Sequence, residues 1–152
     1  MTVEELYSRF LESGGVTTDS RKCGPGLIFF ALKGERFDGN EFVRGALEQG
    51  CPLAVMDNGS LYDPNDGRMV LVDNVLATLQ ALAAYHRRAL GTKVIGITGT
   101  NGKTTTKELT YAVMSTTYNV LCTQGNLNNS IGVPLTVLGL NKDHEYAIVE
   151  MG

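Results

Sequence analysis

The stretch Val94-Ile95-Gly96-Ile97-Thr98-Gly99-Thr100-Asn101-Gly102-Lys103-Thr104-Thr105-Thr106 decides the reading of this chain. Its apolar first part predicts a strand over 94–98. A glycine turn follows from Gly99 to Gly102, then a helix from Lys103 to about Ser115. Strand, glycine turn and helix form the context that a phosphate-binding loop requires. Glycines let the backbone curl so that several N–H groups face one concavity, and the helix presents its positive N-terminal end. Lys103 supplies a mobile charge for terminal phosphates. The Thr104 hydroxyl suits Mg²⁺, which prefers oxygen ligands. The general GxxxxGK[ST] pattern would need glycine where Ile97 stands, so this loop is shorter and begins at Gly99. An ordinary strand-to-helix turn bent at Asn101-Gly102 is the alternative. It leaves unexplained why a lysine and three threonines open the helix, because threonine is a mediocre helix former.

Downstream, Asn119–Cys122 and Tyr146–Val149 read as strands. Upstream, Asn74 is placed to cap a helix over 75–90, ended by Gly91. Before it lie three further elements that read as buried strands: Leu27–Leu32, Leu53–Met56 and Met69–Val72. Phe42, Ala46 and Leu47 suggest a short helix ended by Gly50. Thr2 and Glu5 make a capping box for a first helix with Val3, Leu6, Phe10 and Leu11 on one face. The alternation of strands and helices predicts an α/β fold with parallel pairing. Two domains are expected: residues 1–91, a small α/β domain, and residues 92–152, the start of a parallel-sheet P-loop ATPase domain. From Val94 onward there are about 59 residues with one clear helix. A parallel sheet needs cover on both faces, so the second unit reads as the front piece of a domain.

Composition removes several function classes. Thirteen Lys and Arg against 16 Asp and Glu give a net charge of −3, which argues against a polybasic nucleic-acid-binding arm. Hydrophobic residues make up 43% and charged residues 19%, too apolar for a disordered chain. No apolar run approaches the ~20 residues of a membrane span. Met1-Thr2-Val3-Glu4-Glu5 lacks the basic flank of a secretory signal. Cys23, Cys51 and Cys122 are scattered and read as reduced thiols of a cytoplasmic protein. His86 and His144 lack metal-ligand spacing and read as surface or half-buried side chains.

The run Thr98-Gly99-Thr100-Asn101-Gly102-Lys103-Thr104-Thr105 resembles the shortened phosphate loop of the Mur ligase family, ATP-dependent amide-forming ligases of peptidoglycan synthesis. Thr18-Asp19-Ser20-Arg21, with Gly26 to Gly34 and Asp38-Gly39, resembles that family's N-terminal domain, which holds the UDP end of the substrate. Gly125-Asn126-Leu127-Asn128-Asn129-Ser130-Ile131-Gly132-Val133-Pro134 and Ala147-Ile148-Val149-Glu150-Met151-Gly152 resemble the branch that adds D-alanyl-D-alanine. The likeness covers essentially the whole chain.

The resemblance implies a set of roles. Gly99, Thr100, Asn101, Gly102, Lys103, Thr104 and Thr105 would bind the phosphates of ATP. Thr104 and Glu150 would bind Mg²⁺, and Lys103 and Glu150 would serve catalysis. Thr18, Asp19, Ser20 and Arg21 would hold the UDP moiety, and Asn126, Asn128 and Asn129 would line the substrate side of the cleft. The partners implied are UDP-N-acetylmuramoyl-tripeptide and D-alanyl-D-alanine. Because family members have three domains, this chain is expected to be an N-terminal piece, inactive as a ligase by itself. Its exposed strand edges would let it pair with a second copy.

Blander readings stand beside these. Glu150 by spacing alone is equally a surface glutamate, and the asparagine run equally a turn. Thr18 to Arg21 is equally a loop closed by Asp and Ser side chains. Lys107 and Glu108 read as solvated helix residues. Phe29, Phe30, Phe37 and Phe42 read as core. Two other functions remain open at this point: the family's diamino-acid- or lysine-adding ligase, and a non-catalytic P-loop module.

Overall fold

The computed structural model describes residues 1–125 and 127–152. Asn126, expected on the substrate side, lies outside the described residues. The fold is α/β, and every pairing between its strands is parallel. In chain order the first elements are α1 (Val3–Glu12), β1 (Gly15–Thr17), β2 (Leu27–Phe30), α2 (Val43–Glu48), β3 (Leu53–Met56), β4 (Met69–Leu71) and α3 (Val75–Leu90). They are followed by β5 (Lys93–Ile97), α4 (Lys103–Met114), β6 (Val120–Cys122), α5 (Gly132–Leu138) and β7 (Tyr146–Glu150). The chain divides into two compact units, Met1–Ala81 and Leu82–Gly152, and the division falls within α3.

The first unit is built on a sheet of order β1-β2-β3-β4. Its strands are apolar at successive positions because both faces are covered. One face carries Phe29, Ala31, Ala54, Met56 and Met69, packed with Val43, Ala46 and Leu47 of α2. The alternate residues Ile28, Phe30 and Val55 are equally buried. The capping box of α1 forms as the sequence predicts: the Glu5 backbone N–H donates to Thr2 Oγ1 at 3.2 Å, and the Thr2 N–H donates to Glu5 Oε2 at 2.7 Å. The Ala77 N–H donates to Asn74 Oδ1 at 2.8 Å and starts α3.

Several details depart from the sequence reading. β1 has no apolar run to announce it; its three residues are a strand only because they pair with β2. Leu11 is exposed although Leu6 and Phe10 are buried, since α1 turns a narrower face inward. Phe37 and Phe42, expected in the core, are 59% and 43% exposed, because each lies in a turn at or beside a short 3₁₀ segment, Gly39–Phe42. His86 is buried, its Nε2 2.7 Å from the Leu140 carbonyl oxygen.

The second unit has a sheet of order β5-β7-β6, with β7 in the centre. Ile97, Val120, Cys122 and Ile148 form its core with Met114 of α4. α4 packs across the sheet and α5 packs against β7. The short helix α5 is absent from the sequence reading: β-branched residues and Pro134 lower its propensity, yet proline is tolerated in a first turn. Parallel order sends every connection out of β5, β6 and β7 to one edge of the sheet, the carboxyl edge, where open α/β sheets place their sites.

Candidate functional site

The turn after β5 is exposed from Thr98 to Gly102. Gly99 and Gly102 have φ of +144° and +76°, values that favour glycine, and they let the chain reverse into α4. Gly102 is the N-cap of α4 and makes no side-chain cap hydrogen bond. The first helical hydrogen bond runs from the Thr106 N–H to the Gly102 carbonyl oxygen at 2.9 Å. The N–H groups ahead of it are the unpaired donors of a helix start, so the turn offers an anion a set of backbone donors. Lys103 is half-buried at this start, and Thr100, Asn101, Thr104 and Thr105 are exposed.

Glu150 ends β7 directly beside this turn. Its register partner is Ile97, the last residue of β5, and the Met151 N–H donates to the Ile97 carbonyl oxygen at 2.8 Å. The side chain is 4% exposed. Asn128 Nδ2 donates to Glu150 Oε1 at 3.3 Å. The Glu150 backbone N–H donates to Thr123 Oγ1 at 2.9 Å. Lys107 Nζ lies 3.5 Å from Glu150 Oε2 and 3.6 Å from Glu108 Oε1.

Lys107 therefore corrects an expectation: it is not a solvated helix residue but is 2% exposed, while its neighbour Glu108 is exposed as expected. Lys103, Lys107, Thr110 and Met114 fall on the α4 face that is withdrawn from solvent, a placement set by packing on the sheet. Thr123 also escaped the sequence reading, because a threonine after a short strand carries no motif. Asn129 Oδ1 accepts from the Ile131 and Gly132 N–H groups at 3.1 and 2.7 Å, so it is engaged in starting α5.

Among the described residues, Glu150 Oε2 is the buried side-chain oxygen that lacks a hydrogen-bond partner. An anionic oxygen with an unfilled acceptor position suits a hard divalent cation. No group of three or more His, Cys, Asp or Glu gathers among the described residues. Glu150 would thus be a lone carboxylate ligand, with waters and phosphate oxygens completing the shell, which is how Mg²⁺ is commonly held.

In the first unit, Thr18 to Arg21 follow β1 at the carboxyl edge of its sheet. The Arg21 N–H donates to Asp19 Oδ1 at 3.0 Å, and the Arg21 guanidinium closes on the same carboxylate at 3.0 and 2.8 Å. These contacts lower the Asp19 pKa to about 2. The Thr17 hydroxyl accepts from the Asp19 N–H, and Thr18 and Ser20 are half-buried beside them. At the ends of β2 and β3 lies a second polar cluster. Asn40, 2% exposed, donates from Nδ2 to Asp38 Oδ1 and Asp57 Oδ1, and accepts on Oδ1 from the Asp57 and Asn58 N–H groups. Asp57 also accepts from the Val75 N–H and pairs with Lys33 Nζ at 3.3 Å. Burial pushes the Asp57 carboxyl up, but hydrogen bonds from Asn40 and Val75 and the Lys33 charge outweigh it and hold the pKa below its ordinary value.

Comparison with known proteins finds two family matches along the chain. Residues 12–87 match the family model described as "Mur ligase family, catalytic domain", and residues 97–152 match "Mur ligase middle domain". The chain is 49% identical over 138 residues to the UDP-N-acetylmuramoyl-tripeptide–D-alanyl-D-alanine ligase of Bacillus subtilis, covering 91% of this chain and 30% of that protein. It superposes on MurF of Acinetobacter baumannii with a TM-score of 0.85 at 36% identity, covering 99% of this chain and 35% of the other. It also superposes on the MurF ligase of Thermotoga maritima solved in complex with ADP, with a TM-score of 0.82 at 33% identity over 93% of this chain and 32% of the other. The chain spans about 30% of the length of the curated relatives it matches. Two adjoining family matches and a fold shared at this level lead to one conclusion: the chain belongs to the Mur ligase family.

Proposed function

We propose that this chain carries the UDP-substrate domain (residues 1–91) and the ATP-phosphate turn (within residues 92–152) of an ATP-dependent ligase. The reaction is the joining of D-alanyl-D-alanine to UDP-N-acetylmuramoyl-tripeptide in the cytoplasm, a step of peptidoglycan precursor synthesis. The observation that carries the reading is the placement of Glu150 in register with Ile97, beside the glycine turn that opens α4. The names of the relatives give the substrate class.

In this reading the peptide carboxylate attacks the γ-phosphorus of ATP and ADP leaves. The amine of D-alanyl-D-alanine then attacks the acyl carbon, phosphate leaves and the amine loses a proton. The protein's work is to bring two anions together and neutralise their charge. Gly99 to Gly102, with the N–H groups that open α4 at Lys103, Thr104 and Thr105, cradle the phosphates. Lys103 neutralises their terminal charge. Glu150 and the Thr104 hydroxyl hold Mg²⁺, which supplies Lewis-acid charge neutralisation when bound. Asn128 orients Glu150, and Asn126 and Asn129 lie in the segment assigned to the substrate side. Thr18, Asp19, Ser20 and Arg21 hold the UDP moiety, and Arg21 must loosen from Asp19 to reach a phosphate.

Calorimetric titration of this chain tests the reading. UDP-N-acetylmuramoyl-tripeptide is expected to bind, and Mg-ATP is expected to bind through a contact that Lys103→Ala removes. Binding of Mg-ATP with no binding of the UDP substrate would instead describe a self-contained nucleotide module and overturn the assignment.

A further inference from the structure

Two cations have a claim on one buried carboxylate. Glu150 Oε2 has no hydrogen-bond donor among the described residues, and its close charged neighbour is the Lys107 ammonium at 3.5 Å. A carboxylate withdrawn from water needs a countercharge, and removing one partner of a buried pair is costly. Lys107 provides that countercharge while no metal is bound. The same ammonium would repel a dication arriving at Oε2, so the two cations compete.

The structure also supplies a place for the ammonium to go. Lys107 Nζ is 3.6 Å from Glu108 Oε1, nearly the same distance as from Glu150, and the Glu108 side chain is 66% exposed. Of the two acids, Glu150 is buried at the sheet edge and Glu108 stands at the surface. A flexible four-carbon stem lets a lysine move its charge between such partners.

We infer that Lys107 is an internal stand-in cation for the metal site at Glu150, which passes to Glu108 when a divalent cation takes the carboxylate. Lys107 is then a positioning residue: it keeps Glu150 in place at the edge of β7 before nucleotide arrives, and it sets how much metal is needed to claim it. This rests on the reading of Glu150 as the acid that faces the metal.

The test measures the Mg²⁺ concentration needed for half-maximal binding of fluorescent mant-ADP to the full 152-residue chain, together with thermal unfolding without metal. Competition makes Lys107 and Mg²⁺ negatively coupled, and couplings of this kind run roughly 5- to 150-fold. Lys107→Met should lower the unfolding midpoint without metal and also lower the Mg²⁺ midpoint, by about tenfold. Lys107→Arg, which keeps the charge, should stay near the wild type. Glu108→Gln, which removes the alternative partner at an exposed position, should raise the Mg²⁺ midpoint. In a Glu150→Gln background the effect of Lys107→Met on the Mg²⁺ midpoint should vanish.

A purely structural lysine would predict a loss of stability with an unchanged or higher Mg²⁺ midpoint, and that result overturns the inference. If Lys107→Met does not fold, Glu108→Gln decides alone, and an unchanged midpoint overturns it. Absence of any Mg²⁺-dependent mant-ADP binding by the wild type removes the nucleotide reading itself and this inference with it. Normal binding with no response to either variant removes only the inference.

Discussion

Ile97 and Glu150 face each other as the last register pair of β5 and β7. One residue later β5 becomes the glycine turn, and β7 ends at the acid. Adjacent parallel strands thus bring the turn proposed to bind phosphate and the carboxylate proposed to hold metal to the same edge.

On the proposed function, that adjacency gives Lys103 a defined job. It stands at the first position of α4, half-buried, with the unpaired helix N–H groups beside it. A hydrogen bond from a charged donor is worth about 1.5–3 kcal/mol, so Lys103→Ala should weaken Mg-ATP binding roughly ten- to a hundredfold. Titration calorimetry reads the loss, and binding of the UDP substrate should be unchanged. Undiminished Mg-ATP affinity would sink the assigned role.

Two glycines should fail for opposite reasons. A Cβ on Gly102 meets nothing within 4 Å, but its φ of +76° is one that side chains rarely adopt. Gly102→Ala should therefore cost about 1 kcal/mol in urea unfolding, from backbone conformation alone. Gly39 has no such φ, but its added Cβ would overlap the carbonyl oxygen of Leu32. Backbone cannot give way as a side-chain tip can, so Gly39→Ala should cost more, about 2–3 kcal/mol. Equal costs would contradict this division.

Asn40 ties residues 38–40 to residues 57–58 through one buried amide. Asn40→Ala strands the Asp57 and Asn58 N–H groups and removes donors from two carboxylates. Each buried group left unsatisfied costs about 1–3 kcal/mol, so the first unit should lose about 3 kcal/mol in chemical unfolding. A loss below about 1 kcal/mol would mean that water replaces the amide without cost.

Asp57 predicts an acid limb to stability. Its folded pKa is depressed, the net of burial raising it and Asn40, Val75 and Lys33 lowering it further. A depressed carboxyl contributes fully above its unfolded pKa of about 3.9, and the contribution disappears as pH falls through the lower folded value. Asp57→Asn should flatten the unfolding midpoint against pH below about 4, while lowering stability at neutral pH. Asp19 and Asp66 are lowered to about 2 by their arginines, but these pairs are exposed and solvent-screened. An acid limb that persists in Asp57→Asn would assign it to other carboxyls.

Most of the frame was legible because it rests on local signals. The capping box, the four-residue apolar strands and the glycine turn each state their geometry in a short window. β1 and α5 were not legible, since one depends on pairing with β2 and the other overcomes weak propensity by packing on β7. At the site, the turn from Gly99 to Thr105 could be read as a motif. The burial of Lys107 and the anchoring by Thr123 could not, because each arises from the way α4 and β6 flank β7.

Thr123 shows how finely the acid is set. β6 ends at Cys122, so the ladder offers no backbone acceptor to the Glu150 N–H on that side. The Thr123 hydroxyl takes that place at 2.9 Å. Thr123→Val keeps the shape and deletes the acceptor, leaving a buried N–H unpaired at a cost of about 1–3 kcal/mol. Amide hydrogen exchange at Glu150 should accelerate, and Mg-ATP affinity should fall with it. Thr123→Ser retains the oxygen and should restore both, although it loses a methyl group from the core. If serine fails to restore them while valine is tolerated, then methyl packing rather than the hydroxyl holds the end of β7, and the hydrogen bond to Glu150 is incidental.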